Sequence, residues 1–117
     1  MSGSAGFHRN EVLVVGRLTS EPEERTLPSG DVIVCWRVTA SRQPANKGYD
    51  TIECTAWSAR AKRAVQAWKR DDIVEVEGSL RRRFWVGPAG SRVSGYGIEV
   101  ARARRVAAGL TRPRKPG

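Results

Sequence analysis

The sequence predicts a single all-β domain, a closed five-stranded barrel with one short helix between the third and fourth strands. Its 117 residues can build one hydrophobic core but not two. Five segments alternate apolar and polar side chains with the period of two that is typical of half-buried strands. One segment, between the third and fourth of these, repeats its apolar residues with the period of a helix.

The first two strands are predicted to form a hairpin. Residues 12–18 are rich in β-branched side chains and are apolar on both faces, which predicts a central strand. Turn residues follow at Glu21-Pro22 and at 27–31, and the second strand covers 31–41. The core face of this second strand carries Val34, Trp36, Val38 and Ala40, and the outer face carries Ile33, Cys35, Arg37 and Thr39.

The third strand is predicted over residues 49–57, with Cys54 toward the core and Trp57 on the opposite side. Because Cys35 then lies on the other face from Cys54, we predict two free thiols and no disulfide. The two cysteines also lack the spacing and the histidine partners of a zinc site. We therefore expect no metal and no other cofactor.

The helix is predicted over residues 59–69, with Ser58 as its N-cap. The apolar residues that recur at helical spacing and are predicted to face the core are Ala61, Ala64, Val65 and Trp68. Asp71 and Asp72 are predicted to turn the chain into the fourth strand. No nucleophile accompanies these carboxylates, so we predict no catalytic residues and a protein that is not an enzyme.

The fourth strand is predicted over residues 74–85 and the fifth over 93–106, joined by a glycine-rich tip at 87–91. The inward side chains of the fourth strand, which we assign to the barrel wall, are Val74, Val76, Gly78 and Leu80. Its outward side chains are Ser79, Arg81, Arg83 and Trp85. Arg82 and Phe84 have the opposite parity from this outward set and are not predicted to contact a ligand.

The outward set of the fourth strand places Arg81 and Arg83 beside the indole of Trp85. This favours a single-stranded nucleic acid as ligand, since a guanidinium group neutralises phosphate and an indole stacks on a base. The alternative is that an exposed strand carries arginines only for solubility. The chain has 21 Lys and Arg against 12 Asp and Glu, a net charge of +9, and 17 of the 21 are arginine. Guanidinium groups bind phosphate bidentately and also stack on bases, which supports a polyanionic partner. No apolar run or signal peptide indicates a membrane, and we expect a cytoplasmic, nucleoid-associated protein.

The predicted connectivity is that of an OB-fold barrel, with five strands, a helix after the third strand and a long connection after the fourth. On that fold, oligonucleotides bind the face of strands two and three and the loops after strands one and four. The predicted division is a flexible lead-in at residues 1–8, the OB-fold domain at 9–106 and a disordered basic tail at 107–117.

Several ordered motifs carry a resemblance to a known family. They are Asn10 to Leu18, Glu21-Pro22-Glu23 with Arg25, Pro28 with Gly30, Val34 to Val38, Trp57, Val76 to Arg81, and Trp85. In this order they resemble the bacterial single-stranded DNA-binding protein (SSB) family over residues 9–106. The resemblance implies a homotetramer that wraps single-stranded DNA without sequence preference, in replication, recombination or repair.

The expected DNA-binding residues come from the resemblance and from strand parity. The resemblance implies two base-stacking residues, Trp57 and Trp85, and four basic positions, Arg25, Arg70, Arg81 and Arg83. Strand parity adds Arg37, and placement near the loops adds Arg17, Arg92 and Tyr96. Thr51 and Glu53 stand where family members often carry a tryptophan and an arginine, which predicts a lower affinity or a smaller site.

The C-terminal end also departs from the family, whose members usually finish in an acidic peptide that recruits protein partners. This chain ends at Gly117 in a basic tail, so such partners are not expected. Two explanations stay open, an accessory paralogue or a sequence cut at the domain end. Two other functions are also open, a dimeric primosomal accessory protein and an OB-fold protein-interaction module.

Overall fold

A closed barrel of five strands, in the spatial order β1-β2-β3-β5-β4, is present in the computed structural model. The structure describes residues 7–44 and 47–109, and only the backbone of Trp85. The elements are β1 (Val12–Thr26), β2 (Val32–Ser41), β3 (Tyr49–Ala56), α1 (Ala59–Val65), β4 (Ile73–Val86), a 3-10 turn (Pro88–Gly90) and β5 (Arg92–Ala107). Neighbouring strands are antiparallel except β3 and β5, whose parallel pairing closes the barrel. This confirms the predicted five-stranded barrel with one helix after the third strand.

Most of the predicted lead-in at 1–8 and of the predicted tail at 107–117 lies outside the described residues. None of the helices in the described ranges is long and apolar enough to cross a membrane.

The barrel interior holds most of the side chains that the strand alternation assigned to it, but Ala40 is only partly buried and is not among the buried core residues. Two tryptophans anchor this core, and Trp36 meets Trp68 edge to face with ring centroids 5.6 Å apart. The buried core residues are Leu18, Val34, Trp36, Val38, Cys54, Ala56, Ala61, Val65, Trp68, Val74, Val76, Ile98 and Val100. Because both anchoring indoles are buried, they are shielded from any ligand that binds the outer surface.

The prediction of a turn at Glu21-Pro22 is wrong, because both residues lie inside β1. Register shifts against β2 fall between Leu18 and Ser20 and between Ser20 and Glu23. Such irregularities bend a strand, and they interrupt the regular pairing next to Pro22, which has no N–H to donate. The bent strand pairs with β4 along its first half and with β2 along its second. The hairpin turn instead lies at 27–31, where the Leu27 N–H donates to the Asp31 carbonyl at 2.8 Å.

The helix begins as predicted and ends four residues early. The Ser58 hydroxyl accepts a hydrogen bond from the Ala61 N–H at 3.1 Å, which confirms the N-cap. Helix α1 stops at Val65, and Ala64 is exposed rather than buried. Only Ala61 and Val65, four residues apart and so on one stripe, face the barrel, whereas Ala64 lies off that stripe.

Asp72 ends the turn that leads into β4 and is fully buried. Its carboxylate accepts hydrogen bonds from the Lys69 N–H at 2.8 Å and the Gly109 N–H at 3.2 Å, and Arg105 lies 3.7 Å away. The predicted turn is confirmed, and the same side chain ties the end of β5 to it.

The two cysteines lie on opposite faces of the sheet, as predicted. In the β2–β3 register Cys54 is opposite Trp36, on the core face, and Cys35 is opposite Thr55, on the outer face. Burial, with a smaller effect of the Glu53 charge, raises the pKa of the Cys54 thiol from 9.0 to about 12. The thiol is therefore neutral at physiological pH and is expected to be unreactive.

Leu80 is not part of the barrel wall, which corrects its predicted assignment, because 43% of its surface is exposed. Strand β1 pairs with β4 only as far as Gly78, so β4 leaves the barrel just before Leu80. The Asn10 side chain completes the pairing, since its amide donates to the Leu80 carbonyl and accepts from the Leu80 N–H, both at 2.8 Å. Beyond this point β4 and β5 continue as a two-stranded projection, residues 81–97, which we call the arm.

Candidate nucleic-acid interface

A groove of about 490 Å³ lies on the outer surface of the barrel and is formed by strands β2 to β5. Residues that line it include Leu27, Ile33, Thr55, Trp57, Arg81, Arg82, Arg83 and Glu99. Trp57 follows the last residue of β3 and has 45% of its surface exposed. The groove therefore brings together three of the residues that the sequence predicted to bind DNA, Trp57, Arg81 and Arg83.

The glycines of β5 make room for the arginines of β4. In the arm register Arg83 is opposite Gly95 and Arg81 is opposite Gly97. A Cβ atom added to Gly97 would lie 3.2 Å from Cδ of Arg83 and 3.0 Å from the carbonyl oxygen of Glu53. Without a side chain at Gly97, Arg83 can cross β5 and reach β3.

Two carboxylates stand inside this basic surface. Arg83 Nη1 is 3.4 Å from Glu53 Oε1, and Arg81 Nε is 3.4 Å from Glu99 Oε1. All four side chains are at least one-third exposed, so each pair contributes little to stability, at most about 1 kcal/mol. The ion pairs that hold Arg81 and Arg83 in place are thus weak, and an anion that binds the guanidinium groups more tightly could replace the two carboxylates.

A smaller cleft of about 80 Å³ adjoins the groove and carries two further predicted residues, Arg25 and Arg37. Glu53 lines this cleft, lies opposite Arg37 in the β2–β3 register and also pairs with Arg83 in the groove. Because Glu53 lines the cleft and pairs with Arg83 of the groove, we treat groove and cleft as one surface, which we call the track. Arg70 stands next to its cleft end, where the Arg70 N–H donates to Glu21 Oε2 at 3.3 Å.

Three of the remaining predicted residues, Arg17, Arg92 and Tyr96, are not on the track. Arg17 pairs with Asp71 at 3.8 Å, near the turn that precedes β4. Arg92 and Tyr96 lie on the arm, in register positions that face away from Arg81 and Arg83. Trp85 lies in β4 with its backbone opposite Val93, and its side chain is outside the described part of the chain.

Sequence reasoning missed several residues of the track. Ile33 lies on the predicted outer face of β2 but is only 5% exposed. An apolar side chain at such an outward position is the sequence signal that could have identified it as part of the track. Glu99 had no such signal, because its partner Arg81 is 18 positions away and on another strand. In the described residues, no group of three or more His, Cys, Asp or Glu side chains could hold a metal ion.

The family model described as the single-strand binding protein family matches residues 9–106. The chain belongs to this family. The match includes β1 to β4 and all but the last residue of β5, and it confirms the resemblance carried by the ordered motifs.

Relatives in this family carry names that describe single-stranded DNA binding. The single-stranded DNA-binding protein of Bacillus cereus is 33% identical over 95 residues, which are 78% of this chain and 55% of that protein. Single-stranded DNA-binding protein A of Bacillus subtilis is 31% identical over 88 residues, which are 72% of this chain and 51% of that protein. The chain thus spans about half the length of these relatives.

Among solved structures, the mitochondrial single-stranded DNA-binding protein Rim1 of S. cerevisiae is similar in fold. The TM-score is 0.68, the sequence identity is 14%, and the match covers 85% of this chain and 96% of Rim1. This likeness confirms the OB-fold architecture.

Proposed function

We propose that this chain binds single-stranded DNA without sequence preference and is not an enzyme. The observation that carries the proposal is that a half-exposed indole, Trp57, shares one groove with two guanidinium groups, Arg81 and Arg83. Stacking on an aromatic ring tolerates every base, since each base has a π-face, and arginine neutralises the phosphates between them. A cytoplasmic, nucleoid-associated role in replication, recombination or repair is part of the same proposal.

The proposed binding residues follow the track and continue onto the arm, where Trp85 lies. Bases stack on Trp57 and Trp85, and phosphates contact Arg81, Arg83, Arg37 and Arg25, with Arg70 at the cleft end. Arg17 stays a candidate with no position on this track.

We also propose that the chain self-associates, as a homotetramer or alternatively as a dimer. Leu13 is 61% exposed and Val15 is 47% exposed, and both lie on the outer face of β1. Apolar side chains side by side on a barrel exterior favour a covering partner. Light scattering of the purified protein would give the mass and separate tetramer, dimer and monomer.

The function is tested by titrating the protein with dT oligomers of increasing length while its tryptophan fluorescence is followed at two salt concentrations. Trp36 and Trp68 are buried, so quenching reports on Trp57 and Trp85. We expect saturable quenching, with a logarithmic salt slope of about −0.7 for each phosphate neutralised. Absence of quenching at low salt would contradict the proposal and favour a protein-interaction module.

Removing the carboxylate from the track is expected to strengthen binding. Glu53 places a negative charge beside Arg83 and Arg37, where phosphates are proposed to lie. Glu53→Gln keeps the shape of the side chain and removes this repulsion. We expect the Kd for dT oligomers at low salt to fall by up to about fivefold, the equivalent of about 1 kcal/mol for an exposed pair.

Asp50→Asn is a matched control for Glu53→Gln. Asp50 is on the same strand, also pairs with an arginine (Arg42, at 2.9 Å), and its replacement changes the net charge equally. Its Kd is expected to stay close to that of the parent. Weaker binding by Glu53→Gln would contradict the prediction and would mean that the carboxylate positions Arg83 for the ligand.

A further inference from the structure

The chain leaves the barrel at a fixed point beside the turn that precedes β4. The Gly109 N–H donates to Asp72 Oδ1 at 3.2 Å, and Arg105 of β5 lies 3.7 Å from the same carboxylate. Gly109 also packs against the backbone of Asp71, since a Cβ atom added to Gly109 would lie only 2.6 Å from the Asp71 carbonyl oxygen. Residue 109 is the last that the structure describes, so these contacts fix the point from which the following segment starts.

This exit point adjoins the cleft end of the track. Asp71 follows Arg70, whose N–H donates to Oε2 of Glu21 at 3.3 Å, and Glu21 lines the cleft. The Asp71 N–H donates to the Leu18 carbonyl at 2.8 Å, which holds the turn against β1. The contacts of one turn therefore connect the exit point to the cleft.

The cleft end of the track is short of positive charge. The residues that line it include three acidic ones, Glu21, Glu23 and Glu53, and two arginines, Arg25 and Arg37. A phosphate placed there meets more negative than positive charge from the lining residues. A DNA strand that leaves the groove through the cleft thus needs further cations to neutralise it.

The sequence beyond the exit point supplies such cations. The segment 110–117, which we call the basic segment, has no acidic residue and three basic ones, Arg112, Arg114 and Lys115. Its eight residues span about 26 Å when extended, at about 3.3 Å each. The stretch of β1 from Glu21 to Arg25 is only about 13 Å long at the usual rise of a strand. The basic segment is therefore long enough to lie along the whole cleft.

We infer that the basic segment is a further phosphate-binding element for single-stranded DNA, at the cleft end of the track. Arg112 and Arg114 each bind a phosphate bidentately, and Lys115 adds a point charge. The inference rests on the proposed function and deepens it, because it adds contacts at one end of the same site. The added charge offsets the repulsion between the strand and the carboxylates of the cleft.

The test compares Arg112→Gln/Arg114→Gln with the parent, both as full chains, by titration with dT oligomers of increasing length between about 50 and about 200 mM salt. We expect the magnitude of the logarithmic salt slope to fall by about 1.4, at about 0.7 per phosphate. The affinity advantage of the parent should therefore shrink by about sevenfold over this salt range. Oligomers too short to extend past the groove are expected to bind the two proteins equally.

Two control variants accompany this comparison. Arg60→Gln/Arg63→Gln removes the same charge from the exposed surface of α1, away from the track, and should keep the slope of the parent. Arg112→Lys/Arg114→Lys keeps the charge of the basic segment and should also keep the slope, since counterion release depends on charge. An equal fall in slope for the α1 control would overturn the inference, because the effect would then be one of net charge.

The remaining outcomes separate the inference from the proposed function. A glutamine variant that matches the parent at every oligomer length would overturn the inference alone, because the parent still binds DNA. A glutamine variant that binds more tightly than the parent would also overturn it, since the basic segment would then pair with Glu21 and Glu23 and compete with DNA. A parent whose fluorescence no oligomer quenches at low salt would contradict the proposed function itself.

Discussion

Trp57→Ala is expected to weaken the binding of dT oligomers by about tenfold, within the range of 1–3 kcal/mol for one stacked base. The reason is the position of the indole, which is half-exposed in the same groove as Arg81 and Arg83. Thr51, on the same strand, has no aromatic ring and so offers no alternative platform for a base. The measurement is the Kd from fluorescence or from anisotropy of a labelled oligomer.

Trp57→Phe is the matched control, since it keeps an aromatic face at the same position. It is expected to retain most of the affinity that Trp57→Ala loses. Trp57 is outside the core, so both variants should unfold at the same temperature as the parent. Equal binding by Trp57→Ala and the parent would show that the groove does not hold a base.

Trp85→Ala extends the same test to the arm. The sequence predicts that Trp85 also stacks a base, and its loss is expected to have an effect of similar size. With both indoles removed, only the buried Trp36 and Trp68 would remain, and quenching by DNA should disappear. Persistent quenching in the double variant would contradict the assignment of these two stackers.

Gly78→Ala is expected to destabilise the fold by about 3 kcal/mol, because a side chain there would force overpacking against the backbone. The added Cβ would collide with the carbonyl oxygen of Glu99 and would lie 3.0 Å from Cα of Val100. Strand β5 comes this close because its pairing with β4 shifts register between Glu77 and Gly78. For a domain of this size the melting temperature should fall by roughly 10 °C, measured by thermal unfolding.

Gly30→Ala is the control for this substitution. Nothing lies within 4 Å of a Cβ at Gly30, and its φ of +94° makes alanine unfavourable only through the local backbone. The left-handed conformation costs about 1–2 kcal/mol, so Gly30→Ala should unfold well above Gly78→Ala. A Gly78→Ala variant as stable as the Gly30→Ala variant would mean that the strands can separate at the register shift without cost.

The sequence predicted the existence and type of the five strands and of α1, since each depends on a local period. The alternation over residues 31–41 correctly assigned Trp36 to the core face and Arg37 to the outer face. The helical spacing correctly placed Trp68 in the core. The errors lie where a neighbouring strand decides the outcome. Pro22 stays within β1 because register shifts accommodate it, and Leu80 is exposed because β1 no longer covers β4.

The candidate site was predictable residue by residue but not as an assembly. Trp57, Arg81 and Arg83 were each identified by parity and by the family motifs, and the structure places all three in one groove. The pairing of Glu53 with Arg83 spans 30 positions and crosses Gly97 of a third strand. No local pattern contains that contact, because it depends on how β3, β5 and β4 stand beside one another.

By itself, the sequence determined a basic OB-fold of the single-strand binding protein family, because alternation, helical spacing and ordered motifs are properties of short segments. Only the tertiary structure decided which arginines are paired with carboxylates and which, like Arg82 and Arg92, carry no such partner among the described residues. It also decided that the chain leaves the barrel beside the cleft end of the track. The physical reason is barrel closure. It sets the register between strands that are distant in sequence, and it fixes the residue beyond which one strand no longer buries the side chains of its neighbour.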